Sequence, residues 1–269
     1  MYRADFHTHT PLCRHADGTP EAFVARALAL GLKEYGIADH APMPGEPFDD
    51  WRMLESELPA YFEWVARAKK AAEGTGLAIR CGLECDWIPG IEPWIAHLRS
   101  LGDWDYLIGS VHYLAPGWAF DDPAFQGRWH TGTLAGDWEL YWSRYAAMAA
   151  SGLFDIYGHC DLIRKWGTAP EGDWTPMAHA ALDAMKRGGG IMEINTAGFH
   201  TAGAEQYPVQ GLLKLARARG IPMMINSDAH TPATLGRDCE RAVSAALAAG
   251  YASVTLPSSR EGRRQYSLV

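Results

Sequence analysis

Seven of the eleven histidines stand at or just after the ends of predicted β-strands, where α/β barrels place their chemistry. Imidazole is the commonest metal ligand among protein side chains. Two carboxylates stand in similar positions, so the set mixes nitrogen and oxygen donors. Its members are His7, His9, His15, His40, Glu84, His112, His159, Asp228 and His230. So many candidate ligands after six different strands predict a shared metal centre.

The spacing of two residue pairs suits binding to a common ion. Side chains alternate along a strand, so His7 and His9 point to one side, as do Asp228 and His230. Alone, a His-x-His pair is more often a surface feature or a hydrogen-bonded core feature. Glu84 could bridge two ions through its two oxygens, or could be a neutral hydrogen-bonded side chain. Mixed His, Asp and Glu ligation suits zinc, manganese or iron and does not choose among them.

The elements that must position these residues alternate between strand and helix along the chain. Helices are expected between the strands, the first one capped by Thr19 with Pro20 at its first position. The strands are apolar on both faces, as in buried parallel sheets. The pattern predicts one α/β domain over residues 1–269 with a mainly parallel sheet. Predicted strands cover 2–6, 34–38, 77–83, 105–111, 154–158, 190–195 and 222–226, with 252–256 as a last candidate.

Two predicted loops, 41–52 and 113–136, are long for a compact domain and follow strands that carry candidate ligands. Their aromatic side chains could cover a pocket, or could simply pack on the surface. The aromatic residues are Phe48, Trp51, Trp118, Phe120, Phe125 and Trp129.

Composition limits the classes of function. The chain has 269 residues, 48% of them hydrophobic, which is enough for the core of one barrel. The formal net charge is −8, from 24 basic and 32 acidic side chains, and this disfavours a nucleic-acid binder. No stretch approaches the ~20 apolar residues of a membrane span. Five cysteines without CxxC spacing favour a reduced, cytoplasmic protein, and the sequence leaves the oligomeric state open.

The order and spacing of the histidine motifs resemble those of the polymerase-and-histidinol-phosphatase (PHP) superfamily. The resemblance covers residues 1 to about 240. It rests on Asp5-Phe6-His7-Thr8-His9-Thr10 with Cys13-Arg14-His15-Ala16, Gly36-Ile37-Ala38-Asp39-His40, Gly82-Leu83-Glu84, Gly109-Ser110-Val111-His112, Tyr157-Gly158-His159 and Asn226-Ser227-Asp228-Ala229-His230. It implies a distorted (β/α)7 TIM-like barrel with two or three divalent ions (Zn, Mn or Fe) at the C-terminal ends of the strands.

The same resemblance implies how the ligands divide among three ions. The first ion would take His7, His9, Glu84 and Asp228, and the second would share Glu84 with His112 and His159. The third would take His15, His40 and His230.

Within the superfamily, segments 39–44, 51–53, 158–165 and 193–198 are most similar to monofunctional histidinol-phosphate phosphatases. The implied reaction is hydrolysis of L-histidinol phosphate, a small phosphate ester, by a hydroxide that bridges two metals. Asp228 and His230 are predicted catalytic residues. Arg164 is the predicted phosphate clamp and catalytic cation, with a salt bridge at a helix start as its alternative role.

The chain departs from the family pattern after the Asn-Thr-Ala-Gly turn. Phosphatases of this family usually continue with a leucine and a phosphate-binding arginine, whereas this chain has Phe199-His200. His200 or an arginine elsewhere could substitute, and Lys165 is a further predicted substrate contact. Two alternatives stay open: a PHP hydrolase of another phosphate ester or phosphodiester, and a non-catalytic metal-binding module.

Overall fold

The computed structural model describes residues 3–257 and 263–268. Within that part, the strands are β1 Ala4–Asp5, β2 Glu34–Ile37, β3 Ala78–Asp86, β4 Tyr106–Ser110, β5 Tyr113–Ala115, β6 Trp118–Ala119, β7 Ile156–Tyr157, β8 Ile191–Asn195, β9 Met223–Asn226, β10 Ser253–Leu256 and β11 Arg264–Ser267. The α-helices of the same part are α1 Pro20–Ala29, α2 Leu58–Ala71, α3 Glu92–Leu101, α4 Leu134–Ala150, α5 His179–Gly188, α6 Gln210–Ala218 and α7 Cys239–Ala248.

Seven of the described strands form one parallel sheet in the order β1-β2-β3-β4-β7-β8-β9. The sheet is nearly closed, because its two edge strands meet just beyond their carboxyl ends. There Thr8 forms a parallel bridge with Ala229. The amide of His9 donates to the carbonyl of Ala229 (2.9 Å), and the amide of Ala229 donates to the carbonyl of His7 (3.1 Å). The predicted TIM-like barrel is therefore confirmed.

Side chains complete the junction below this bridge. The amide of Phe6 donates to Oδ1 of Asn226 (2.8 Å), and the amide of Ser227 donates to Oδ1 of Asp5 (3.2 Å). Burial raises the pKa of Asp5 to about 6, although hydrogen bonds from Ser227 oppose that shift. The two edge strands are thus joined by side-chain hydrogen bonds where backbone pairing is absent.

The predicted strands of the barrel are present, most of them one or two residues shorter than expected. The N-cap of α1 is also confirmed, since Thr19 Oγ1 accepts from the amide of Ala22 (3.2 Å). One detail of the prediction was wrong, because Glu84 lies inside β3 rather than closing it. The candidate strand at 252–256 is present as β10, which pairs antiparallel with β11 in a separate two-stranded sheet. No helix in the described residues combines the length and apolarity needed to cross a lipid bilayer.

The Tyr106 side chain fills the interior of the barrel, and strands β2 and β3 have glycine where a larger side chain would overlap it. Its hydroxyl donates to the carbonyl of Phe6 (2.5 Å), and the two rings pack edge to face with centroids 5.1 Å apart. A Cβ on Gly36 would lie 2.4 Å from the Tyr106 hydroxyl, and one on Gly82 would lie 2.5 Å from its ring. Glycine at these two positions is therefore a packing requirement.

We expect Gly82→Ala to destabilise the protein by about 1–3 kcal/mol, because the added methyl group overlaps the fully buried Tyr106 ring. The measurement is the free energy of unfolding in urea. Gly211→Ala is the matched control, since its new Cβ would meet only Thr175 at 4.0 Å within α6. Equal stability of the two variants would contradict the packing requirement.

Candidate metal centre

All nine predicted ligands meet at the carboxyl ends of the barrel strands. Two of them, His7 and His9, are fully buried and contact the carboxylates of Glu84 and Asp228. The others line a cavity of about 260 Å³; they are His15, His40, Glu84, His112, His159, Asp228 and His230. The strand-end pattern in the sequence therefore corresponds to one continuous site.

The carboxylate of Glu84 lies among five imidazoles. Its Oε2 is 2.8 Å from Nδ1 of His40 and 3.4 Å from Nε2 of His7. Its Oε1 is 2.9 Å from Nε2 of His159 and 3.7 Å from Nε2 of His112. His9 Nε2 also lies 3.8 Å from Oε2, so the two oxygens face different sets of rings, which is the arrangement a bridging carboxylate requires.

Asp228 provides the second carboxylate of the site. Its Oδ1 lies 3.0 Å from Nε2 of His9 and 3.7 Å from Nε2 of His7. Its Oδ2 accepts a hydrogen bond from the side-chain amide of Asn195 (Nδ2, 3.1 Å). The backbone of Asp228 is left-handed, with φ of +53°, a conformation that aspartate adopts more readily than most residues.

The donor atoms fit a metal ion better than they fit one another. Among the buried polar atoms of the described residues that lack a hydrogen-bond partner are three from candidate ligands: His7 Nε2, His40 Nδ1 and Glu84 Oε2. They nevertheless face each other at 2.8–3.4 Å. Two ligands of a tetrahedral zinc at about 2.0–2.1 Å lie roughly 3.3 Å apart. Donor atoms that converge at this spacing without hydrogen-bond geometry fit a shared metal ion.

Outer carboxylates fix which ring nitrogen of the buried histidines faces the centre. Each accepts from, or faces, a ring Nδ1 and so leaves Nε2 directed inward. The pairs are His7 with Glu193 (2.8 Å), His9 with Asp39 (3.2 Å) and His112 with Asp86 (2.8 Å).

His15 and His230 are oriented by backbone carbonyls instead. Nδ1 of His15 lies 2.7 Å from the carbonyl of Cys13, and Nδ1 of His230 lies 3.0 Å from the carbonyl of Asp228. The two ring centroids are 4.6 Å apart. Both Nε2 atoms are therefore left for the cavity, which both residues line.

The geometry divides the ligands somewhat differently from the implied division. Donor atoms close enough to share an ion include those of His7, His9 and Asp228, as implied for the first metal. Other groupings mix the implied sets: His7 with Glu84 and His159, and His9 with His40 and His230. The assignment of individual ligands to individual ions stays a prediction.

Comparison with known proteins decides the family. A model of the PHP domain family matches residues 5–197 of this chain. The chain belongs to the PHP domain family.

Several relatives of this PHP domain are named histidinol-phosphatases. The chain is 41% identical over 233 residues to the "Probable histidinol-phosphatase" of Deinococcus radiodurans, and the match covers 86% of this chain and 88% of that protein. It is 28% identical over 261 residues to the histidinol-phosphatase of Bacillus subtilis, which covers 88% and 96%. A Lactococcus lactis histidinol phosphate phosphatase, solved with zinc, L-histidinol and phosphate, has the same fold, with a TM-score of 0.77 at 20% identity over 95% and 97% of the two chains. The predicted family is confirmed.

The charges around the site set the protonation of the metal-free PHP domain. Burial lowers the pKa of His9, but hydrogen bonds with Asp228 and Asp39 outweigh it and raise that pKa to about 9. Burial also lowers the pKa of His112, and the charge of Asp86 outweighs it, raising the pKa to about 10. At His230, burial and the neighbouring His9 act together and lower the pKa to about 3.

Zinc binding to the metal-free protein is expected to release protons. His9 and His112 are protonated near pH 7, whereas a ligand imidazole must be neutral, so apparent zinc affinity should rise from about pH 6 to pH 8. Calorimetry in Hepes and in Tris measures the release as a difference in heat. Zinc binding to the Asp86→Asn variant should release fewer protons, because the Asp86 charge that raises the pKa of His112 is then absent. Equal heats in both buffers for the unaltered protein would contradict this protonation scheme.

The predicted substrate contacts lie in three different environments. Lys165 lines the metal cavity, and its Nζ pairs with Asp121, another lining residue, at 3.2 Å. Neither Arg164 nor His200 is among the lining residues. His200 is 44% exposed and its Nε2 lies 2.6 Å from Oδ2 of Asp238.

Arg164 is occupied by the protein itself, which corresponds to the salt-bridge alternative. Its Nε donates to Asp161 (2.9 Å), and one terminal nitrogen donates to the carbonyls of Glu205 (2.7 Å) and Gln206 (2.6 Å). The side chain is buried and lies 4.9 Å from the centre of the Tyr207 ring. The predicted phosphate clamp thus supports loop 201–209, because tertiary partners that the sequence pattern does not show claim its donors.

Arg164→Ala should therefore lower stability. Loss of one partner of a buried ion pair costs about 3 kcal/mol, which corresponds to a Tm lower by roughly 6–12 °C. Differential scanning calorimetry measures the change, with Arg67→Ala as control. Arg67 pairs with Glu21 where both side chains are half exposed, so its removal should move Tm little. An unchanged Tm with lost phosphate affinity would return Arg164 to the role of clamp.

Arg237 was missed by the reasoning from sequence. It lines the metal cavity, seven residues after His230 on the segment that follows β9. Glu193 was quoted only as part of a motif, although it orients His7. A glutamate inside the apolar strand Ile191–Asn195 is a signal that could have singled it out.

The long loops have the expected proximity to the site only in part. In loop 41–52, the Trp51 ring packs edge-on against His40, with centroids 4.7 Å apart. Arg52 is buried beside it and donates to Asp86 (2.8 Å), the partner of His112. In loop 113–136, by contrast, the buried aromatics Trp118 and Phe120 pack into the core.

Proposed function

We propose that this PHP domain is a metal-dependent phosphomonoesterase that hydrolyses L-histidinol phosphate to L-histidinol and inorganic phosphate. The observation that carries the proposal is the Glu84 carboxylate, which lies among five imidazoles in a cavity whose lining also includes Lys165 and Arg237. The name of the Deinococcus radiodurans relative, at 41% identity, supports the substrate. The zinc, L-histidinol and phosphate of the Lactococcus lactis structure support both the cofactor and the product.

Each part of the site has a separate task in this proposal. Two or three divalent ions (Zn, Mn or Fe), when bound, would supply Lewis acidity and lower the pKa of water. Glu84 and Asp228 neutralise that positive charge and, with His230 and the remaining ligands, fix its position. Glu193, Asp39 and Asp86 hold the ligand rings in place. The cations of the cavity wall attract the phosphate group.

The Lys165–Asp121 pair suits an ester that carries its own ammonium group. L-histidinol phosphate has an amino group on the carbon next to the phosphorylated CH2, so its two charges lie close together. Lys165 and Asp121 present the opposite charges 3.2 Å apart in the cavity wall. Phosphate would approach Lys165 and ammonium would approach Asp121, which favours 2-amino phosphate esters over neutral analogues.

The proposal includes a cytoplasmic location and a single PHP domain over 1–269. All five cysteines are free thiols, four of them buried, and this supports a reducing compartment. The substrate is a small molecule, and the net charge of −8 argues against a nucleic-acid partner. A non-catalytic module is disfavoured because all nine candidate ligands are present and oriented.

A panel of phosphate esters, assayed with Zn, Mn and Fe, tests the substrate. We expect the highest kcat/KM for L-histidinol phosphate and a clearly lower value for its analogue that lacks the amino group. Asp121→Asn should reduce this preference, because the ammonium loses its carboxylate partner. Glu21→Gln is a surface control that removes one charge far from the cavity.

Fast turnover of a different ester, with none of L-histidinol phosphate, would contradict the substrate and favour the alternative of another phosphate ester or phosphodiester. Absence of turnover with every ester and every metal would favour the non-catalytic module. If Asp121→Asn lowers the activity on L-histidinol phosphate and on the analogue without the amino group equally, Asp121 does not set the substrate preference. That result would leave the proposed phosphatase activity intact.

A further inference from the structure

A phosphate ester in the metal cavity needs a cation whose donors are available. Arg164 is not part of the cavity lining, and its Nε and one terminal nitrogen donate to Asp161 and to two backbone carbonyls. Lys165 is in the lining but is neutralised by Asp121 at 3.2 Å. His200 is half exposed and held by Asp238. Apart from the metal ions, the phosphate therefore has only Lys165 among its predicted contacts in the cavity wall, and Lys165 is shared with Asp121.

Arg237 has the missing properties. It lines the same cavity as the ligands His15, His40 and His230. Its Nε is buried and has no hydrogen-bond partner among the described residues. A buried guanidinium nitrogen without a partner is costly, and Arg237 borders the metal cavity, so an anion bound there would supply the acceptor that the described residues do not.

The backbone around Arg237 is fixed against the segment where the family arginine is absent. The carbonyl of Arg237 accepts from Oγ1 of Thr196 (2.7 Å), at the start of the turn that ends in His200. The amide of Gly236 donates to Asp5 at the barrel junction (3.2 Å). Arg237 and the 196–200 turn therefore border one side of the cavity together, although they are distant in sequence.

We propose that Arg237 is the phosphate-binding arginine of this PHP domain and takes the role that Phe199-His200 cannot fill. The inference rests on the proposed phosphatase function, but it concerns any phosphate monoester and does not depend on histidinol. The guanidinium donates to phosphate oxygens, matches their geometry through two N–H groups and stays charged at all working pH values. Arg237 thereby gives the cavity a cation that no carboxylate of the described residues neutralises.

The test uses the metal-loaded full chain with two probes, 4-nitrophenyl phosphate and inorganic phosphate. Arg237→Ala should lower kcat/KM for 4-nitrophenyl phosphate roughly 30- to 150-fold, the loss typical of a charge-assisted phosphate contact. The Kd of inorganic phosphate, measured by calorimetry, should rise in parallel. Added guanidinium ion should restore part of the activity of Arg237→Ala, and Arg237→Lys should retain more than Arg237→Ala.

Arg241→Ala is the matched control. This arginine lies one helical turn further on, pairs with Asp238, has a 54% exposed side chain and is absent from the lining of the metal cavity. The phosphate affinity of Arg241→Ala should equal that of the unaltered protein. Metal content and Tm of all variants should stay unchanged, which separates a binding role from a structural one.

An Arg237→Ala protein whose phosphate Kd stays within about twofold of the unaltered value would overturn the inference. A larger loss in His200→Ala than in Arg237→Ala would overturn it in favour of the histidine. These outcomes are independent of the substrate, because a protein inactive on L-histidinol phosphate can still bind phosphate through Arg237. Conversely, good turnover of L-histidinol phosphate by Arg237→Ala would refute the inference and leave the proposed function intact.

Discussion

The site depends on keeping one buried carboxylate charged among imidazoles. Glu84 is almost fully buried, and burial alone would raise the pKa of its carboxyl group. The charges of His7, His40 and His112 outweigh that effect and hold the pKa well below its usual value. Because desolvation disfavours the anion, the buried carboxylate stays ionised only beside positive charge. The buried outer carboxylates, the inward-facing ring nitrogens and the position of Glu84 within β3 all serve this single requirement.

Much of this arrangement could be predicted because strand ends in a parallel barrel converge. Residue type and distance from a strand end were enough to bring His112 and His159 together, although 47 positions separate them in the chain. The length of β3 was misjudged because its polar residues, Glu84 and Asp86, look like a strand terminus in sequence. In the fold they are buried and paired, so the strand continues through them.

Cation roles could not be predicted in the same way. A guanidinium can satisfy a carboxylate, a carbonyl or a substrate equally well, and the choice is made by tertiary contacts. Arg164 follows a metal ligand closely in sequence, yet Asp161 and the 205–206 carbonyls take its donors. Arg237 belongs to none of the quoted motifs, yet the turn at Thr196 holds its backbone at the cavity. Proximity in sequence favoured the first, whereas proximity in space favours the second.

The bridge between Thr8 and Ala229 lies between two pairs of ligands, His7 and His9 on one edge of the sheet and Asp228 and His230 on the other. Ions bound by ligands from both edges would hold the two edge strands together at this junction, the seam of the barrel. Metal affinity and opening of the seam are then thermodynamically linked. An ion that binds the closed seam more tightly lowers the equilibrium constant for opening, and opening lowers the affinity for that ion by the same factor. Hydrogen exchange at the Ala229 amide is accordingly a local gauge of metal loading, even in the absence of any substrate.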